Sequence, residues 1–110
     1  METTTIQINK NIRKILPKVR EYLSGQPVLR AWLFGSFSRG EETADSDIDI
    51  LVQYKDAEDI SLFTITRIMN SLSKLLNRKV DLVEEDGLLP FATDSVLHDR
   101  ILIYERKNQG

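Results

Sequence analysis

The sequence predicts an α/β domain: a small mixed sheet of about four strands with helices mainly on one face. Three observations lead there. Apolar residues recur at helical spacing over residues 8–24 and 60–76. Four short apolar runs, at 28–34, 47–54, 79–83 and 100–104, are bounded by Pro, Gly or polar residues, as strands are. The resulting order α-β-(α)-β-α-β-α-β interleaves the two kinds of element, as expected when helices cover a sheet. At 110 residues the chain forms one domain, 1–110, with its core at about 28–104.

In chain order, Ile12, Ile15, Leu16, Val19, Tyr22 and Leu23 make an apolar stripe, so Ile8 to Ser24 reads as an amphipathic helix. Pro17 is expected to kink it or to open its second half, and Gly25 to end it. VLRAWLF, Val28 to Phe34, reads as a strand between Pro27 and Gly35, with Trp32 packed in the core. Residues 36–42 read as a turn or short helix. Asp47 to Tyr54 is a second strand, with Ile48, Ile50 and Val52 on one face. Asp59 is read as the cap of a helix from Ile60 to Leu76, whose apolar arc includes Leu62, Phe63, Ile68, Leu72, Leu75 and Leu76 and is expected to be buried, with a protein interface over part of it as the alternative. KVDLV, Lys79 to Val83, is a third strand. A short helix at Leu89–His98 and a closing strand at Arg100–Tyr104 complete the pattern. Residues from Arg106 to Gly110 are polar and expected to fray. Tyr54 and Tyr104 end strands and read as interface or rim packing, with a nucleobase stacked on one of them as the alternative, and His98 receives no catalytic role.

Composition narrows the function classes. A net charge of −2 supplies no global field for nucleic acid, so strong nucleic-acid binding is not expected. The apolar runs are short and broken by charge, so no membrane span is expected. The absence of cysteine excludes disulfides and thiolate ligands and fits a cytoplasmic setting. A single histidine excludes a multi-histidine zinc site. Small ligands and protein partners remain.

The chemistry concentrates in LFGSFSRGEETADSDIDILVQY, Leu33 to Tyr54. Side chains alternate across a strand, so Asp47 and Asp49 point the same way, about 6.6 Å apart along the backbone. Like charges this close raise each other's pKa and oppose folding. A divalent cation removes the conflict, and Mg²⁺ prefers carboxylate oxygen. Asp81 repeats the pattern inside the apolar run Val80-Asp81-Leu82-Val83. If its strand neighbours that of Asp49, the three carboxylates converge and are candidate ligands for two ions about 4 Å apart. Each residue also has a plainer reading. Asp45-Ser46-Asp47 fits a turn with side chains bonded to backbone N–H groups, and Asp81 alone fits an ion pair.

Gly35 directly follows the strand end Leu33-Phe34, where a glycine permits a sharp turn and close approach of a phosphate. Ser36 adds a hydroxyl, Arg39 a cation that can reach phosphate oxygen, and Gly40 further backbone freedom. The plainer alternative is an ordinary strand-to-helix turn capped by Ser36. GSFSRG lacks the Gly-Lys-Ser/Thr ending of a P-loop.

Gly35-Ser36, ten residues, then Asp47-x-Asp49 resembles the GSx10DxD signature of the DNA polymerase β-like nucleotidyltransferase superfamily. The wider run LFGSFSRGEETADSDIDILV resembles its minimal nucleotidyltransferase (MNT) domains, and the likeness extends over about Val28 to Tyr104. The resemblance implies the polymerase β-like fold, with Gly35 and Ser36, and less directly Arg39, on the phosphates of ATP or another NTP. It implies Asp47 and Asp49 on two Mg²⁺ ions, and Asp81 completing the acceptor-side metal and orienting the attacking hydroxyl. The implied reaction is in-line transfer of a nucleoside monophosphate with release of pyrophosphate.

About 110 residues leave no room for the acceptor-gripping domain of larger relatives, so the acceptor is a partner, is bound by one, or is bound by a second copy. Stand-alone MNT proteins resemble the antitoxin half of HEPN/MNT toxin-antitoxin systems, in which AMP is added to a tyrosine of the HEPN partner. A non-catalytic nucleotide- or partner-binding module, and transfer to a small molecule such as an antibiotic, are the alternatives.

Overall fold

In the computed structural model, residues 10–56, 59–84 and 98–107 are described. They form α1 (Lys10–Ser24), β1 (Val28–Phe34), α2 (Ser36–Arg39), β2 (Ile48–Tyr54), α3 (Leu62–Leu76), β3 (Val80–Glu84) and β4 (Ile101–Glu105). The strands make one four-stranded sheet in the order β3-β2-β1-β4. β1 runs antiparallel to both β2 and β4, whereas β2 and β3 are parallel. A parallel pair needs a crossover long enough to return the chain to the same end of the sheet, and α3 is that crossover.

The alternation of β2 decides which face is covered. Ile48, Ile50 and Val52 join Ala31 and Leu33 of β1 in the main core, against Ile12, Val19 and Leu23 of α1 and Ile68 and Leu72 of α3. Both long helices therefore pack on one face, as the sequence predicts. Trp32 and its register partner Leu51 are buried outside this cluster, on the sheet face opposite α1 and α3. The Arg100 guanidinium lies 4.2 Å from the Trp32 ring centroid, a cation–π contact. Trp32 is thus packed as expected, but not in the main core. Tyr54 is buried at the end of β2, and burial pushes its hydroxyl pKa up to about 12.

Several boundaries differ from the sequence reading. β2 begins at Ile48, so Asp47 stands just outside it; β3 ends one residue later than read, and β4 is shifted one residue on. α1 runs through Pro17, an exposed position where the missing N–H costs one helical bond. α3 is capped by Ser61 rather than Asp59, because the Ser61 Oγ lies at the right distance to accept from the Thr64 N–H, 3.2 Å away. Leu62 and Phe63 are 80% and 89% exposed, contrary to the expected burial. At about 100° per residue they fall off the stripe set by Ile68 and Leu72. Of the helix read at Leu89–His98, all but His98 lies outside the described residues.

The expectation that the chain frays from Arg106 fails for Arg106 itself. Its backbone N–H donates to Leu29 O at 2.8 Å. Its Nε donates to Val28 O at 3.0 Å, and its Nη2 to Gln26 O at 2.6 Å and Ser24 O at 3.2 Å. The last carbonyls of a helix have no partner within it, and this guanidinium supplies one. Arg106→Ala is expected to lower stability by about 1–2 kcal/mol, because these carbonyls are only partly accessible to water. Urea denaturation followed by circular dichroism measures it; an unchanged midpoint removes Arg106 as the tie between α1 and β1.

Candidate active site

β1 delivers the chain to one end of the sheet at Phe34, whose partner across the ladder is Asp49. The next residue, Gly35, has φ 74° and ψ −149°, a conformation that side chains with a Cβ rarely adopt. Space imposes the same requirement. A Cβ on Gly35 would stand 2.5 Å from Asp49 Oδ2. The backbone turn and the carboxylate are therefore packed against each other, and only glycine satisfies both constraints. One helical turn follows, α2, anchored by the buried Phe37 and ended by Gly40 in the left-handed region. Ser36 does not cap it; the cap position is Gly35, and Ser38 Oγ donates to Gly35 O at 2.8 Å. Among the described residues the Ser36 hydroxyl has no protein partner, so it is available to a ligand.

Asp49 alternates with the fully buried Ile48 and Ile50 and so faces away from the helices. Asp81 of the parallel strand β3 is its register partner. Adjacent strands lie about 4.8 Å apart, so the two carboxylates share one row of the same face. Desolvation raises the Asp49 pKa most, the charges of Asp81 and Asp47 raise it further, and Arg39 opposes them. Asp81 makes no ion pair among the described residues, so that plainer reading does not hold. Asp47 lies one residue before the ladder, and Lys79 Nζ stands 4.0 Å from its Oδ2.

Among the described residues no three His, Cys, Asp or Glu side chains are grouped tightly enough to hold one metal ion as they stand. The sheet joins Asp49 to Asp81, but it does not fix Asp47, which lies outside the strand beside a lysine. The donor set nevertheless fits a hard divalent cation. It consists of carboxylate oxygens alone, and two of the three groups are held side by side, where their charges oppose each other. Asp47, Asp49 and Asp81 are the residues that would hold Mg²⁺.

Arg39 is exposed, its Nε donating to Glu41 Oε1 at 2.9 Å and its Nη1 lying 3.9 Å from Asp99 Oδ2. The bond to Glu41 is the main reason its pKa is raised, with smaller contributions from Asp99 and Asp49. It therefore lies within electrostatic reach of Asp49. The turn before Asp47 is built by side chains, but not by the aspartates. Ser46 Oγ accepts from the Thr43 N–H at 2.8 Å, and Thr43 Oγ1 from the Asp45 N–H at 3.3 Å. Missed in the sequence were the cations that flank this region, Arg78 and Lys79 at the corner before β3. No spacing rule marks them; only the parallel pairing of β2 and β3 brings that corner to Asp47.

The family model described as "Polymerase beta, Nucleotidyltransferase" matches residues 17–109. A relative in Methanocaldococcus jannaschii, named a protein adenylyltransferase, is 33% identical over 91 residues, covering 83% of this chain and 96% of its own. A solved structure described as a minimal nucleotidyltransferase superposes with a TM-score of 0.71 at 34% identity, covering 84% of this chain and 92% of that one. The antitoxin-containing crystal structure of a toxin-antitoxin MntA variant matches with a TM-score of 0.62 at 27% identity, covering 92% of this chain and 76% of that one.

Gly35→Ala is expected to lose about 1–3 kcal/mol from the positive-φ backbone alone, with a further loss from the clash with Asp49, read as a lower urea midpoint. The raised Asp49 pKa sets a pH dependence. The folded state binds that proton more tightly than the unfolded state, so stability falls as pH rises from about 4 through the raised value. In metal-free protein Asp49→Asn should therefore be more stable than the parent at pH 7, and the gain should vanish below about pH 4. Thermal melts of both chains across this range check the sign; a variant less stable at pH 7 contradicts it.

Proposed function

Since the chain belongs to the polymerase β nucleotidyltransferase family, we propose that it transfers AMP from ATP to a hydroxyl of a partner protein and acts as the antitoxin of a HEPN toxin. The observation that carries this reading is the Asp49–Asp81 pair on adjacent strands, packed against the Gly35 turn. A half-buried pair of like charges opposes folding, and a cation-dependent reaction gives that arrangement a use. The names of the relatives supply the rest: protein adenylyltransferase for the Methanocaldococcus jannaschii protein and toxin-antitoxin for the MntA structure.

In this reading Gly35 lets the triphosphate approach the backbone, Ser36 donates to a phosphate oxygen, and Arg39 exchanges Glu41 for phosphate. Bound Mg²⁺ would neutralise the phosphates and polarise the α-phosphorus. Asp47 and Asp49 anchor the nucleotide end of the site. Asp81, next to Asp49, orients the acceptor hydroxyl and takes up its proton. The hydroxyl oxygen bonds to the α-phosphorus while the bond to the bridging oxygen breaks, and pyrophosphate leaves in line. Positioning and charge neutralisation supply most of the acceleration. In this reading the acceptor is a tyrosine hydroxyl of the HEPN partner.

The test is incubation with α-labelled ATP and Mg²⁺, with and without a purified HEPN partner. Label is expected on a tyrosine of the partner, reduced at least 100-fold in Asp47→Asn and Asp49→Asn, a loss typical of removing a group that stabilises developing charge. Undiminished labelling by either variant would falsify the site.

A further inference from the structure

Arg78 occupies the corner between α3 and β3, immediately after Asn77, which ends α3 in the left-handed conformation. Its Nη1 donates to two backbone carbonyls of the loop before Asp47: Thr43 O at 2.9 Å and Ser46 O at 2.9 Å. The same guanidinium lies 5.1 Å from the centroid of Phe37, the buried anchor of α2. One planar cation therefore touches both halves of the site, the short helix that follows Gly35-Ser36 and the loop that delivers Asp47. The neighbouring backbone continues the tie, with the Ile48 N–H donating to Lys79 O at 2.9 Å.

The two aspartates differ in what holds them. Asp49 lies inside β2, paired in register with a neighbouring strand on each side, whereas Asp47 stands outside β2 at the end of a loop. The loop's own bonds, between Thr43, Asp45 and Ser46, shape its turn but do not attach it to the sheet. Arg78 attaches it. An arginine suits this task because its rigid fork can donate twice while its face stacks on an aromatic ring.

We propose that Arg78 is a positioning residue, a strut that holds the loop of Thr43 to Ser46 in place and thereby sets Asp47 against Asp49 and the Gly35-Ser36 turn. It does not touch the reacting atoms. The assignment rests on the transferase reading for its kinetic consequence, but its structural content can be tested alone. Arg78→Met keeps an apolar stem against Phe37 and removes both carbonyl bonds.

Two measurements on the full chain decide it. Hydrogen–deuterium exchange of the free protein should show amides at 43–48 exchanging at least tenfold faster in Arg78→Met, with those of α1 and β1 unchanged. In the transfer assay the Mg²⁺ concentration giving half the maximal rate should rise at least fivefold, with the KM for ATP moving less than twofold. Unchanged exchange at 43–48 overturns the proposal, and so does acceleration spread evenly over α1 and β1, which marks general destabilisation. Faster loop exchange with an unaltered Mg²⁺ requirement also overturns it. If Arg78→Met does not fold, Arg78→Lys carries the same readings: a smaller rise in both supports the strut, and no change in either removes it. A parent chain that labels no acceptor counts against the transferase reading, and the exchange measurement then decides the strut by itself.

Discussion

The structure turns on the repulsion between two carboxylates held in one row of a sheet. Asp49 and Asp81 are register partners on parallel strands, and Asp49 is also partly desolvated. Nothing in the apolar core requires this pairing, which raises the free energy of the folded state at neutral pH. The rest of the domain supplies the compensation. Ile48 and Ile50, which flank Asp49, and Val80, beside Asp81, are all buried, so each charged strand is held to the core next to its carboxylate.

Topology explains why these residues meet. β1 runs antiparallel to β2, so the end of β1 lies beside the start of β2, and the Gly35 turn leaves the sheet next to Asp49. α3 then returns the chain so that β3 starts at the same end, with Asp81 alongside. One end of the sheet thus collects a turn, two carboxylates and the corner cations from segments far apart in sequence. They gather on the face opposite the one that α1 and α3 cover.

Much of this was legible before any coordinates. Alternation in Ile48, Asp49 and Ile50 separates the core face from the charged face, and the spacing of Gly35-Ser36 from Asp47-x-Asp49 identifies the family. Asp81 stood out as a charge inside an apolar run. Less legible were features that depend on contacts across the fold. Arg106 reads as the start of a polar tail, yet it closes the end of α1 through carbonyls some eighty residues away. Arg78 reads as a surface cation, since nothing local shows that the loop before Asp47 will pass beside it. Leu62 and Phe63 look like core because composition alone does not show where a helical stripe begins. The cap of α3 was missed by two residues, since Asp59 and Ser61 are both good cap types and geometry selects between them.

The alternation of β3 has a consequence for assembly of the sheet itself. Shifting β3 by a single residue against β2 would turn Asp81 inward among aliphatic side chains and push Leu82 out to water. The wrong alignment is thus penalised by the very residue that marks the right one. Alignment of the carboxylate row needs no dedicated device: burial of the aliphatic side chains proofreads the placement of the acids.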